Sequence, residues 1–84
     1  MTQDYEQLRL HLSENIRLMR RVKNLTQEQL ALMAEVDRTY VSQIERCTGN
    51  PSLLVLCKLA NILEITPDQL LAEPDILRSF LPVK

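Results

Sequence analysis

The chain has 84 residues, enough for one small domain that buries only about 60% of the surface its unfolded chain exposes. Its hydrophobic share of 45% is ordinary for a globular fold, while a single glycine leaves no room for a glycine-rich phosphate loop. The net charge of −1 argues against a polyanion partner only until its distribution is read: residues 17–58 hold seven basic and four acidic side chains, whereas each flank sums to −2.

Leucine dominates, helix breakers are widely spaced and period-two alternation is missing, so the fold class is all-α. The first helix runs from Gln3 or Asp4 to Lys23, with Leu8, Leu12, Ile16 and Met19 facing the core. Asn24 is placed to cap its C-terminus in the left-handed conformation. Thr26 opens the second helix, and Gln29 completes a capping box. Its inner face is Leu30, Ala31 and Ala34. Asp37 is the N-cap of a third helix, Arg38 to about Cys47. Ser52 caps a fourth, with Leu53, Leu56, Leu59, Ala60 and Leu63 as core candidates. In "TPDQL", Thr66 caps a fifth helix that has Pro67 at its first position and Gln69 closing the box. Pro74 interrupts, Asp75 to Leu81 form a final turn or two, and Pro82 ends them. The whole is a five-helix bundle with a short C-terminal helical tail. It is one domain over residues 1–84, with a core at about 12–71 and a tail at 72–84.

The third helix is too brief to stand alone, and one side of it is crowded with polar groups. At about 100° per residue, Arg38, Ser42, Arg46, Thr39 and Gln43 fall within an arc of roughly 140°. Val41 and Ile44 lie opposite, with Tyr40 at their edge. Arginine matches guanine O6 and N7, glutamine matches adenine, and hydroxyls adapt to either. No carboxylate sits within the arc to repel phosphate. The free N–H groups at the start of the second helix, beside Gln27, suit a phosphate, and Asn50 in the next loop is a further phosphate candidate. Such a face otherwise belongs simply to solvent. The very short turn at residues 35–37 favours the DNA reading, because it projects the third helix from the body.

"LTQEQLA", Val36, "DRTYVSQIER", "NPSL" and "LCKLANILEI" together resemble the XRE-type helix-turn-helix family of phage repressors and Cro proteins, from about Leu12 to Leu71. "DRTYVSQIER" looks most like the controller proteins of restriction–modification systems, which are small dimeric regulators. The resemblance implies base reading by Arg38, Thr39, Ser42 and Gln43. It implies backbone contact by Thr26, Gln27, Tyr40, Arg46 and Asn50, and an ion pair between Arg20 and Glu45 that ties the first helix to the third. Asn24, Glu35 and Cys47 stand where the family usually has glycine. Glu35 must then accept a left-handed backbone, at roughly 1 kcal/mol, or the turn must differ.

Other chemistry has little support. His11 is the only histidine and has no triad partner nearby in sequence, no metal-ligand spacing is present, and neither an enzyme nor a cofactor is expected. Cys47 and Cys57 read as reduced thiols of a cytoplasmic protein, and no apolar run approaches a membrane span. Ile65, Leu70, Leu71, Ile76, Leu77, Phe80 and Leu81 are more apolar groups than the bundle readily buries. Either the tail folds over its own core, or Ile65, Leu70, Ile76, Leu77, Phe80 and Leu81 form a homodimer interface. The interface is the favoured reading, since one helix per monomer reads too little sequence. The expectation is a homodimeric transcriptional regulator, repressor or controller, that reads a double-stranded operator without a small-molecule ligand. A protein-interaction or antitoxin-like module of the same fold is the alternative, and it would want an apolar anchor on the third helix's arc, which has none.

Overall fold

The computed structural model describes residues 2–81, and these form six helices without a strand: α1 (Thr2–Val22), α2 (Gln27–Ala34), α3 (Arg38–Glu45), α4 (Leu53–Leu63), α5 (Pro67–Leu71) and α6 (Pro74–Ser79). Each expected start is capped by local side chains. Thr26 Oγ1 accepts from Gln29 N at 3.0 Å while Gln29 Oε1 accepts from Thr26 N at 2.9 Å. Asp37 accepts from Thr39 N at 2.9 Å, Ser52 Oγ from Val55 N at 3.2 Å, and Gln69 Oε1 from Thr66 N at 2.9 Å.

The ends are equally uniform. Asn24, Glu35, Cys47 and Glu64 follow α1 to α4 with φ between 57° and 61°. After each, the next amide reaches back five residues: Leu25 to Arg20, Val36 to Ala31, Thr48 to Gln43 and Ile65 to Ala60. This closure satisfies carbonyls that the helix itself leaves bare. Glu35 therefore accepts the left-handed backbone, and the turn between α2 and α3 keeps its tight geometry without glycine. Glu64 does the same at a place where the sequence pattern gave no notice.

The core is one cluster. Ile16 and Met19 of α1, Leu30, Ala31 and Ala34 of α2, Val41 and Ile44 of α3, and Leu56, Leu59, Ala60 and Leu63 of α4 are buried together. Two expected core residues lie outside it. Leu8 is exposed because Asp4 to Leu8 run on past the packed helices. Leu53 is 78% exposed because, as the first residue of α4, it stands on the outer side with Leu54 and Cys57.

The tail needs a second correction. Leu70 and Leu77, expected between two chains, are 0% and 1% exposed within one. They belong to the apolar cluster, and Asn15, a buried amide of α1, holds their segment there: its Nδ2 donates to the carbonyls of Leu70 (2.9 Å) and Ala72 (2.7 Å). It fastens the end of α5 to α1, and Pro74 then starts α6 at its first position and sends it back along α1. Ile65, Leu71 and Leu81 pack partly against the core, whereas Ile76 and Phe80 stay exposed. Pro82 lies outside the described residues.

Candidate nucleic-acid interface

One face of α3 is fixed by the protein. Glu45 is buried at the helix's last position. Arg20 grips it with two hydrogen bonds, Nε to Oε2 at 2.7 Å and Nη2 to Oε1 at 2.9 Å, and also donates from Nη1 to Leu25 O at 3.0 Å. Gln27 Nε2 donates to Oε1 at 3.0 Å, and Arg17 Nε stands 3.9 Å away. Burial pushes the Glu45 carboxyl up; the hydrogen bonds from Arg20 and Gln27 and the charges of Arg20 and Arg17 outweigh it and hold the carboxyl below its ordinary range. The Arg20 guanidinium is correspondingly raised, chiefly by its hydrogen bond to Glu45. One carboxylate thus joins α1, α2 and α3.

The opposite face is open. Arg38, Thr39, Ser42 and Arg46 line one shallow recess of about 310 Å³. Among the described residues, no side-chain partner engages Arg38, Ser42 or Arg46. Arg38 and Thr39 are the first two residues of α3, and Arg46 is its C-cap. Gln43 departs from this group. It lies beside Gly49, where an added Cβ would meet its Oε1 at 3.0 Å, and it lines a separate small cleft with Tyr40, Thr48, Asn50 and Pro51. The expected base readers are thus divided, three on the recess and one with Tyr40 and Asn50. Gln27, expected to touch a backbone phosphate, spends its amide N–H on Glu45, and the Thr26 hydroxyl serves as the α2 cap. Asp37, at the rim, is held below the ordinary carboxylate range by the Thr39 N–H and hydroxyl, and so stays charged at the N-terminus of α3.

Several contributors escaped the sequence reading. Ser13 Oγ donates to the Glu45 carbonyl at 2.9 Å, Arg17 Nη2 donates to the same oxygen, and Arg9 Nη2 donates to the Cys47 carbonyl. Ser13 and Asn15 carried a usable signal, since they are polar residues set among Leu12, Ile16 and Met19 on the inward side of α1. Among the described residues no cluster of side chains is suited to a metal ion, and no helix is long and apolar enough to cross a membrane.

Comparison with known proteins supplies a frame for this geometry. A family model described as helix-turn-helix matches residues 16–70. The crystal structure of the hypothetical transcription factor NHTF from Neisseria superposes with a TM-score of 0.80 at 40% identity, covering 90% of this chain and 88% of that one. The restriction–modification controller protein C.AhdI from Aeromonas hydrophila gives 0.69 at 39% identity, covering 74% and 94%. The control protein C.SmaI of Serratia marcescens is 42% identical over 60 residues, 71% of each chain.

Proposed function

This chain belongs to the helix-turn-helix family, whose members here include restriction–modification controllers and phage repressors, and from that premise we propose that it works as a homodimeric controller-type regulator of transcription. DNA binding is its activity, and α3 is the element that enters the major groove. The observation that carries this reading is the outward face of α3: Arg38, Thr39, Ser42 and Arg46 share one recess, and among the described residues no acceptor engages the arginines. Such donors match base edges at the start of the helix and phosphates at its end. Arg38, Thr39 and Ser42 read bases. Gln43 reaches either a base edge or the strand held by Tyr40 and Asn50. Arg46 and the free backbone N–H groups at the start of α2, beside Thr26 and Gln27, hold phosphates. The site of action is the cytoplasm.

A second copy supplies the other half-site. Ile76 and Phe80 stay exposed, and Phe80 and Leu81 line a groove with Val22 and Ile65 that Lys23, Glu64 and Gln69 also line. Ile65, Ile76, Phe80 and Leu81 therefore form the interface over a core that already holds Leu70 and Leu77. Sedimentation at micromolar concentration is expected to give twice the chain mass, and Phe80→Glu to return it to monomer. A wild-type monomer at every DNA-binding concentration rejects the dimer.

Selection of bound duplexes from a random pool tests the function. Enrichment of two inverted half-sites about one helical turn apart is the expected outcome. A pool that stays random after repeated selection rejects sequence-specific binding.

A further inference from the structure

Arg9, Ser13 and Arg17 follow one another at every fourth residue of α1, so they form one stripe on that helix. All three reach the far end of α3. The Ser13 hydroxyl and Arg17 both donate to the Glu45 carbonyl, and Arg9 donates to the carbonyl of Cys47, two residues beyond the helix. The last carbonyls of a helix have no partner within it, and that end carries the negative pole of the dipole, so two guanidinium groups and a hydroxyl are well matched to it. Cys47 has φ of 60°, and its carbonyl is the one that meets Arg9. From its other side Arg9 lies over the ring of Tyr5, 5.3 Å from the centroid. Arg9 and Ser13 both precede the stretch matched by the family model, residues 16–70.

We infer that Arg9 and Ser13 are positioning residues for base reading: they fix the C-terminal end of α3 and so set the angle at which its N-terminal residues meet the bases. The inference rests on the DNA-binding reading above. Eight residues of helix span about 12 Å, and a tilt of about 5° about one end moves the other by roughly 1 Å. Base contacts tolerate about half that displacement. The ion pair of Arg20 holds the side chain of Glu45, whereas Ser13 holds the backbone carbonyl of that residue and Arg9 the carbonyl of Cys47 two residues on, so the restraints act on different groups.

The test measures the full chain on the duplex that the wild type selects and on random duplex. Wild type without preference for any duplex overturns the DNA reading before a variant is made. Given that preference, Arg9→Met keeps the stem but removes the donors, and is expected to lower the ratio of selected to random affinity about tenfold. Arg9→Lys, which keeps a charge and a donor, should restore most of the ratio. Ser13→Ala changes no charge and should lower the ratio about threefold, which keeps the test open if Arg9→Met unfolds. In the free protein, amide resonances of Arg38 to Ser42 should shift in both variants. If selected and random affinities fall by one common factor, Arg9 acts only as a charge and the inference is overturned. A ratio unchanged in both Arg9→Met and Ser13→Ala overturns it as well.

Discussion

The two polar faces of α3 differ in who satisfies them. Inward, Glu45 is 4% exposed and its carboxylate accepts from Arg20 and Gln27, with Arg17 nearby. A charge so placed is tolerable only when its partners come with it. Outward, Arg38, Ser42 and Arg46 share a recess with no acceptor side chain among the described residues. Within eight residues, then, polarity has two uses. Where the fold supplies partners, the polar group orients the helix; where it supplies none, the group stands open to solvent and to the proposed DNA.

The largest expected effect tests the inward face. Glu45→Ala strands Arg20, whose side chain is only 19% exposed, and should cost about 3 kcal/mol of stability, the low end for breaking a buried pair. In a domain of this size that lowers the melting temperature by more than about 10 °C. Arg38→Ala should leave stability within about 0.5 kcal/mol of wild type. A double-mutant cycle over Arg20 and Glu45 isolates the coupling. Equal melting temperatures for Glu45→Ala and Arg38→Ala erase the distinction between the faces.

Acid sharpens the same contrast. The folded Glu45 carboxyl lies below its ordinary value, so its stabilisation is complete above the unfolded pKa of about 4.3 and is lost as pH falls through the lower folded value. The wild type should therefore lose stability as pH drops below about 4.3, and Glu45→Gln should lose less of it over that span, since it has no such proton to take up. Asp37 is shifted in the same direction and remains in both proteins as a common background. Denaturant midpoints from pH 6 to pH 3 measure the two slopes. Parallel curves mean that Glu45 does not drive the acid loss.

Much of this was legible in the chain because it is written locally. Thr26, Asp37, Ser52 and Thr66 announce helix starts through bonds to residues two or three positions on. The outward arc of α3 follows from helical spacing alone, as do the buried Val41 and Ile44. What escaped depends on partners far along the chain. Asn15 captures carbonyls more than fifty residues away, in the segment whose Leu70 and Leu77 fill the core of a single chain. Arg9 and Ser13 meet the end of α3 more than thirty residues on. Leu8 and Leu53 obey the apolar spacing but fall where no helix covers them. Gln43 stands apart from the other expected base readers, beside Gly49 in the following loop, a contact that helical spacing does not contain.

The smallest expected effects divide the outward face itself. Arg38 begins α3, where this docking mode brings side chains to base edges, and Arg46 ends it, where the strand backbone passes. Arg38→Ala should cost about 1–3 kcal/mol on the selected operator and relax preference at one base pair per half-site. Arg46→Ala should weaken operator and random duplex by one common factor and flatten the dependence of log K on log salt by about one unit, because one phosphate contact is lost. Titrations on operator, singly substituted operator and random duplex at several salt concentrations read both. The arms distinguish the roles because a base contact changes the ratio between sequences, whereas a phosphate contact changes only the salt slope and the common scale. If Arg38→Ala weakens operator and random duplex equally, Arg38 is a phosphate ligand. Base reading then passes to Thr39 and Ser42 in the same recess, and the outward face is divided across its width instead of along its length.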